Sequence, residues 1–375
     1  MSKVIAFLAD GTWNGVDVDC DRDGVREVTN VLKLFNNLEG DNDIESFNLA
    51  HEEERVAVDA KRTITQVAKY LHGVGDSNNA IIKLLGGAFG AGIISRIVRG
   101  YTFISRNYQL GDRIIIVGFS RGAYTARALG GMIAKAGLMD YAKLKITDKE
   151  QAYRCGLYVW AYYREQQRKN MAQRLINRLS RRVLGIGREI GEEHMIANVP
   201  LAAIGVWDTV GALGIPIYAK EDKRVDLFRF ADTDLSALVA RGFHALAIDE
   251  HRADFAPTPW NPRAGVEQLW FAGAHADVGG GYEESALSDF GLAWMMARLK
   301  GTGLLLRDPL PELPDPRADG MLHDSWNKLP YRLKPRFMRA IERDADLHVS
   351  VAQRRATLGD YRPRNLLNWA GSYQN

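Results

Sequence analysis

Gly118-Phe119-Ser120-Arg121-Gly122 combines a hydroxyl nucleophile with flanking residues small enough to expose it. The run RIIIVGF (113–119) leads in and an Ala-rich stretch ending at Gly137 leads out, so the order reads strand, tight turn, helix. In that context Ser120 Oγ stands above a sheet edge, suited to attack an acyl carbonyl. The Arg121 backbone N–H is left at a helix N-terminus, where it can stabilise a developing oxyanion.

A serine used in this way needs a base and an orienting acid, and this arrangement supplies them in the order Ser, Asp/Glu, His. Among eight histidines, His275 alone directly follows a strand-like run, in WFAGAHADVGGGY. His51 and His72 precede the serine, His194 falls in a basic segment, and His323 and His348 follow a proline-rich strap. His244 reads as mid-helix, and His251 as following that helix. Asp208 is the first polar residue after LAAIGVW (201–207), and it is the expected acid. Asp249 and Asp254 are rivals that follow the helical reading of 235–248. Asp277 is two residues from the histidine and suits a turn cap better. Asp10, in LADGTWN, ends the first strand. A backbone N–H of Gly11 or Thr12 could be the second oxyanion donor, with Asp10 bracing the loop or forming a plain Asx turn.

Four elements must position these groups. VIAFL (4–8), the run before Ser120 and LAAIGVW read as buried strands, and VEQLWFAG (266–273) as a fourth. Helical patterns at 25–38, 78–108, 121–137, 235–248 and 285–299 fall between or after them. This alternation predicts one α/β domain over 1–375, with a mostly parallel sheet and helices on both faces. Residues 140–200 interrupt it as a helical cap or insertion, and 305–375 read as a strap and tail packed on the core.

With 375 residues, 46% hydrophobic and 25% charged, the composition excludes collagen-like and wholly disordered chains. The balance of 49 Lys+Arg to 46 Asp+Glu gives no general case for nucleic-acid binding. Two isolated cysteines offer no disulfide framework or CxxC metal site. The N-terminal apolar run is too short for a cleaved signal peptide, and Leu84–Ser95 falls below the ~20 residues of a bilayer span. GGAFGAG (86–92) departs from G-x-G-x-x-G, and neither a P-loop nor HExxH is present.

Between Gln166 and Arg188 the chain is basic and carries no Asp or Glu. Met171, Leu175, Leu179 and Val183 recur every fourth residue, with Arg174, Arg178, Arg181 and Arg182 on an adjoining face. That pattern fits a helix lying in a membrane interface. It equally fits a cap helix over the site with a solvated basic face. No stacking aromatics interleave with the arginines, so nucleic acid is set aside.

The ordered set DGTWN, YLHGVGD, GFSRGAYTARALGGMI, GVWDTVGALG, AIDEHR, WFAGAHADVGGGY and HVSVAQRR…YRPRNLL resembles the catalytic domain of type VI secretion lipase effectors, first class, from about residue 3 to 367. The resemblance implies an α/β-hydrolase whose triad falls on Ser120, Asp208 and His275. It implies a phospholipase acting on acyl esters of bacterial membrane lipids, with no metal or organic cofactor. It also implies a secretion-apparatus or immunity partner, and delivery from the producing cytoplasm to the periplasm of a target cell. The larger effectors carry extra membrane-docking modules, whereas this chain reads as compact. Two alternatives keep the fold: an esterase of a small soluble ester, and a catalytically inactive membrane-associating protein.

Overall fold

The computed structural model describes residues 2–11, 27–42, 52–73, 80–167, 190–210, 233–329 and 331–375. Thr12, His51 and the arginines 174, 178, 181 and 182 lie outside the described residues.

Apolar and β-branched runs form the central strands because each is buried on both faces, as a parallel sheet covered by helices requires. In chain order the strands are β1 (Val4–Ala9), β2 (Asp41–Asn42), β3 (Glu52–Val58), β4 (Ile64–Leu71), β5 (Arg113–Phe119), β6 (Leu138–Met139), β7 (Met195–Ile196), β8 (Leu201–Trp207), β9 (Val239–Ala247), β10 (Val266–Phe271), β11 (Leu347–His348) and β12 (Tyr373–Gln374). Ten of them form one sheet in the order β12-β11-β10-β9-β8-β5-β1-β4-β3-β2, while β6 and β7 pair separately. From β4 to β12 neighbouring strands are parallel, and β3 and β2 add an antiparallel edge.

The chain passes from β1 to β4 on one side, then returns to β5 on the other and grows outward through β8, β9 and β10. The carboxyl ends of β1 and β5 therefore flank a topological switch point, where crevices form in such sheets. Register aligns Ala9 with Gly118, so the loops after both strands leave at the same level.

The helices are α1 (Asn30–Asn36), α2 (Ala80–Asn107), α3 (Arg121–Ala136), α4 (Tyr141–Leu144), α5 (Lys149–Gln167), α6 (His275–Gly279), α7 (Ser288–Lys300) and α8 (Val349–Thr357). One face of the sheet is covered by α2, α3 and α5, through Ile97, Tyr101, Leu129, Ile133, Trp160 and Tyr163. The other face is covered by α1 and α7, through Leu34, Phe35, Met295 and Leu299. Within 140–200, α5 thus belongs to a sheet-covering layer. No described helix is long and apolar enough to cross a membrane.

Two elements differ from the sequence reading. Residues 239–247, expected as helix, are strand β9, hydrogen-bonded between β8 and β10. Its alanines and leucine mimic a helical composition, but burial between two parallel neighbours overrides that weak propensity. His244 therefore sits within a central strand, and Asp249 and His251 follow a strand. Strand β3 lies in an acidic stretch before residue 62 that carries neither the strand nor the helix pattern described above. Its inward Glu52 and Glu54 are buried against Lys69, at 2.5 and 3.1 Å, and reach Arg99 and Arg106 on α2 at 2.6 and 2.8 Å.

Candidate active site

Ser120 sits between β5 and α3 at φ +57°, ψ −120°, a conformation L-residues adopt only under constraint. The constraint comes from the glycines on either side. A Cβ at Gly118 would lie 2.3 Å from the Gly122 carbonyl oxygen, and one at Gly122 would lie 2.0 Å from that of Ala9. No larger residue fits either position without moving backbone. The Ser120 N–H donates to the Trp207 carbonyl at 3.1 Å, which ties the turn to the end of β8. Arg121 opens α3, so its N–H has no acceptor within the helix. Burial lowers the Arg121 guanidinium to about 10, so it remains a cation at neutral pH.

Asp208 follows Trp207 directly, at φ +39°, and is fully buried. Its Oδ2 lies 2.5 Å from His275 Nδ1. His275 opens α6 just beyond β10, and its backbone N–H donates to Glu250 Oε2 at 3.3 Å. The Phe119 ring lies against the imidazole, with centroids 4.6 Å apart, and Phe255 meets it edge-on at 5.0 Å. The ring is therefore beside the residue preceding Ser120. Its Nε2 is buried and makes no hydrogen bond to a described residue. Burial pushes the imidazole below the ordinary histidine value, against the opposing pull of Asp208, so the neutral form prevails near pH 7.

Sequence reasoning missed Arg339. It lies in the C-terminal region and is 1% exposed. Its Nη1 donates to Asp208 Oδ1 at 2.6 Å and its Nη2 to Oδ2 at 2.8 Å, a two-pronged contact. The same nitrogens donate to the Ala247 and Phe255 carbonyls at 2.8 and 2.7 Å. Burial alone would raise the Asp208 carboxyl, but the Arg339 charge, with His275, holds it well below the usual carboxylate range. No motif flags this arginine among the other basic residues of its segment.

The remaining expected residues take supporting positions. Asp10 is buried and accepts from Thr29 Oγ1 at 2.6 Å and from the Tyr70 hydroxyl at 2.5 Å. Burial raises its carboxyl despite these bonds. The Gly11 N–H donates to Asp10 Oδ1 at 2.6 Å, so it is consumed inside the loop and is not free for an oxyanion. Of the sequence candidates for a second donor, this leaves Thr12. Asp277 accepts from the Ala274 N–H at 2.9 Å, capping α6, and from His323 Nδ1 at 2.6 Å. Neither rival acid pairs with His275. Asp249 accepts from the Gly273 N–H and the Tyr361 hydroxyl, at 2.8 and 2.7 Å, and Asp254 pairs with Lys334. His244 Nε2 accepts from the Thr209 N–H at 3.1 Å, and burial lowers its imidazole to about 3.

The family described as T6SS, Phospholipase effector Tle1-like, catalytic domain, matches residues 3–298. The Saccharomyces cerevisiae protein named "Uncharacterized protein YEL023C" is 25% identical over 255 residues, which cover 66% of this chain and 33% of that protein. Among solved structures, an uncharacterized protein from Pseudomonas aeruginosa superposes with a TM-score of 0.44 at 17% identity, covering 84% of this chain and 47% of that one. A Tle1 effector bound to the VgrG spike of the type 6 secretion system gives 0.36 at 18%, covering 76% and 52%. This chain therefore spans between a third and about half of the length of these relatives.

Proposed function

From the premise that the chain belongs to the type VI secretion phospholipase effector Tle1-like catalytic-domain family, we propose that it is a serine hydrolase cleaving acyl esters of phospholipids. The observation that carries the reading is the imidazole of His275. Its Nδ1 is held 2.5 Å from Asp208, its Nε2 has no partner among the described residues, and its ring packs on Phe119, which precedes the strained elbow residue Ser120.

In the proposed reaction, Ser120 Oγ attacks the acyl carbonyl carbon while His275 Nε2 takes the hydroxyl proton. Asp208 fixes the tautomer that leaves Nε2 free and stabilises the imidazolium that forms. The Arg121 N–H donates to the oxyanion, with the Thr12 N–H as the second donor. When the tetrahedral adduct collapses, His275 returns the proton to the leaving lysophospholipid oxygen. Water, deprotonated by the same nitrogen, then attacks the acyl-enzyme. Fatty acid is released and Ser120 regains its proton.

The effector family supports delivery into a target cell, and the VgrG-bound relative supports a secretion-apparatus partner. Both are part of the proposal, as is an immunity protein that protects the producing cell.

The test is mass-spectrometric analysis of products from vesicles of phospholipids with distinct chains at sn-1 and sn-2. The wild-type chain should release fatty acid and lysophospholipid, and Ser120→Ala should reduce the yield by roughly 10³-fold or more. Turnover confined to short soluble esters would overturn the phospholipid assignment. Undiminished lipid turnover by Ser120→Ala would overturn the nucleophile.

A further inference from the structure

Next to the site, the segment running from Met321 to Met338 leaves large apolar side chains in water. Leu329 is 74% exposed, Leu333 80% and Met338 53%. Lys328, Arg332, Lys334 and Arg336 are exposed alongside them, and the sequence from Asn327 to Arg339 contains no Asp or Glu. Lys334 pairs with Asp254 and Arg336 with Asp324, whereas no ion pair joins Lys328 or Arg332 to a described residue.

The backbone holds these residues in a defined arrangement. The Arg332 N–H donates to the Lys328 carbonyl at 3.2 Å, and Tyr331–Leu333 form a 3-10 turn. Trp326 Nε1 donates to the Lys334 carbonyl at 3.1 Å, and the Phe337 N–H to the His251 carbonyl at 2.9 Å.

The same segment is continuous with the site. The Tyr331 ring meets Phe255 edge-on at 5.9 Å, and Phe255 meets His275 at 5.0 Å. Arg339, immediately after Met338, is the residue that grips Asp208. The exposed leucines therefore lie a few residues along the chain from groups packed around His275 and Asp208.

Exposed apolar side chains ringed by cations match a lipid interface, with leucines in the acyl boundary and cations at the phosphates. A second protein copy would bring the same positive charge against itself, so charge complementarity favours an anionic bilayer. We infer that Leu329, Leu333 and Met338, with Lys328, Arg332, Lys334 and Arg336, dock this protein on an anionic phospholipid surface beside the reacting serine. The inference rests on the acyl-lipid reading of the site. It places the contact on a different segment from the basic run 166–188.

The test is flotation of the full chain carrying Ser120→Ala, which leaves the lipid intact, with vesicles of phosphatidylglycerol and phosphatidylcholine. The parent should bind and be released by salt. Leu329→Asp/Leu333→Asp should partition roughly tenfold or more weakly. Lys328→Glu/Arg332→Glu should lose binding to anionic vesicles but change little on pure phosphatidylcholine. Circular dichroism and melting temperature report folding, and Leu329→Ser/Leu333→Ser replaces the first variant if it fails to fold. Equal partition of parent and variants overturns the inference. So does a protein dimer that the leucine substitutions dissolve without any vesicle binding. Because the readout is partition, its failure is distinct from failure of the esterase reading, which the product analysis tests.

Discussion

Asp208 spreads four hydrogen bonds over two oxygens: Oδ1 receives Arg339 Nη1 and the Ala247 N–H, and Oδ2 receives Arg339 Nη2 and His275 Nδ1. Arg339 keeps the carboxylate ionised without leaving its full charge on the imidazole, and His275 stays neutral as burial demands. Arg339→Lys, which keeps a charge but loses the fork, should lower kcat roughly tenfold with KM little changed. With Asp208 less neutralised, the His275 imidazolium is better stabilised, so the acid limb of kcat/KM should move to higher pH. A pH–rate profile checks this, and an unmoved limb would reduce Arg339 to a packing role. Arg339→Met should instead cost about 3–5 kcal/mol of stability, because a buried carboxylate loses its cation. Sequence position alone pointed to Ser120, Asp208 and His275, since each directly follows a strand-like run. Arg339 could not be found that way, because its partner is 131 residues distant and its own segment is uniformly basic.

At the scale of elements, the turn after β5 is set by steric exclusion. The φ of +57° at Ser120 is held by β5 on one side and α3 on the other, and Gly122 is pressed against the end of β1. Gly122→Ala would set a methyl against the Ala9 and Asp10 carbonyls, 2.0 and 2.5 Å away, so backbone must move. Urea unfolding should show a loss of about 3 kcal/mol or more, well above the ~1 kcal/mol typical of point mutants. A neutral substitution would mean that the turn is not closed in this way. The pentapeptide was readable because the exclusion at Gly118 acts within the turn itself, even though that at Gly122 comes from β1. Strand β9 was not, since the pairing that makes VARGFHALA extended comes from LAAIGVW and VEQLWF, remote in sequence. Strand β3 was hidden for a related reason. Its inward glutamates read as solvated until Lys69, Arg99 and Arg106 neutralise them across the sheet and α2.

For the whole molecule, the sheet order decides where chemistry can happen. Reversal of direction after β4 brings the ends of β1 and β5 together, and β8 and β10 deliver Asp208 and His275 to the same edge. The alternation of strands and helices made this layered arrangement legible from the sequence. The position of 305–375 was legible only as a strap, whereas its folded course closes one end of the sheet through β11 and β12 and sends Arg339 into the site. The central claim is that these distant segments make one serine reactive through one histidine. Its most direct measurement is the pH-dependent rate of fluorophosphonate modification, with the adduct located by peptide mass spectrometry. An adduct is expected on Ser120, forming faster as pH rises through a midpoint below the ordinary histidine value of about 6.5, and lost in His275→Ala. An adduct on another residue, or Ser120 labelled equally fast in His275→Ala, would contradict it.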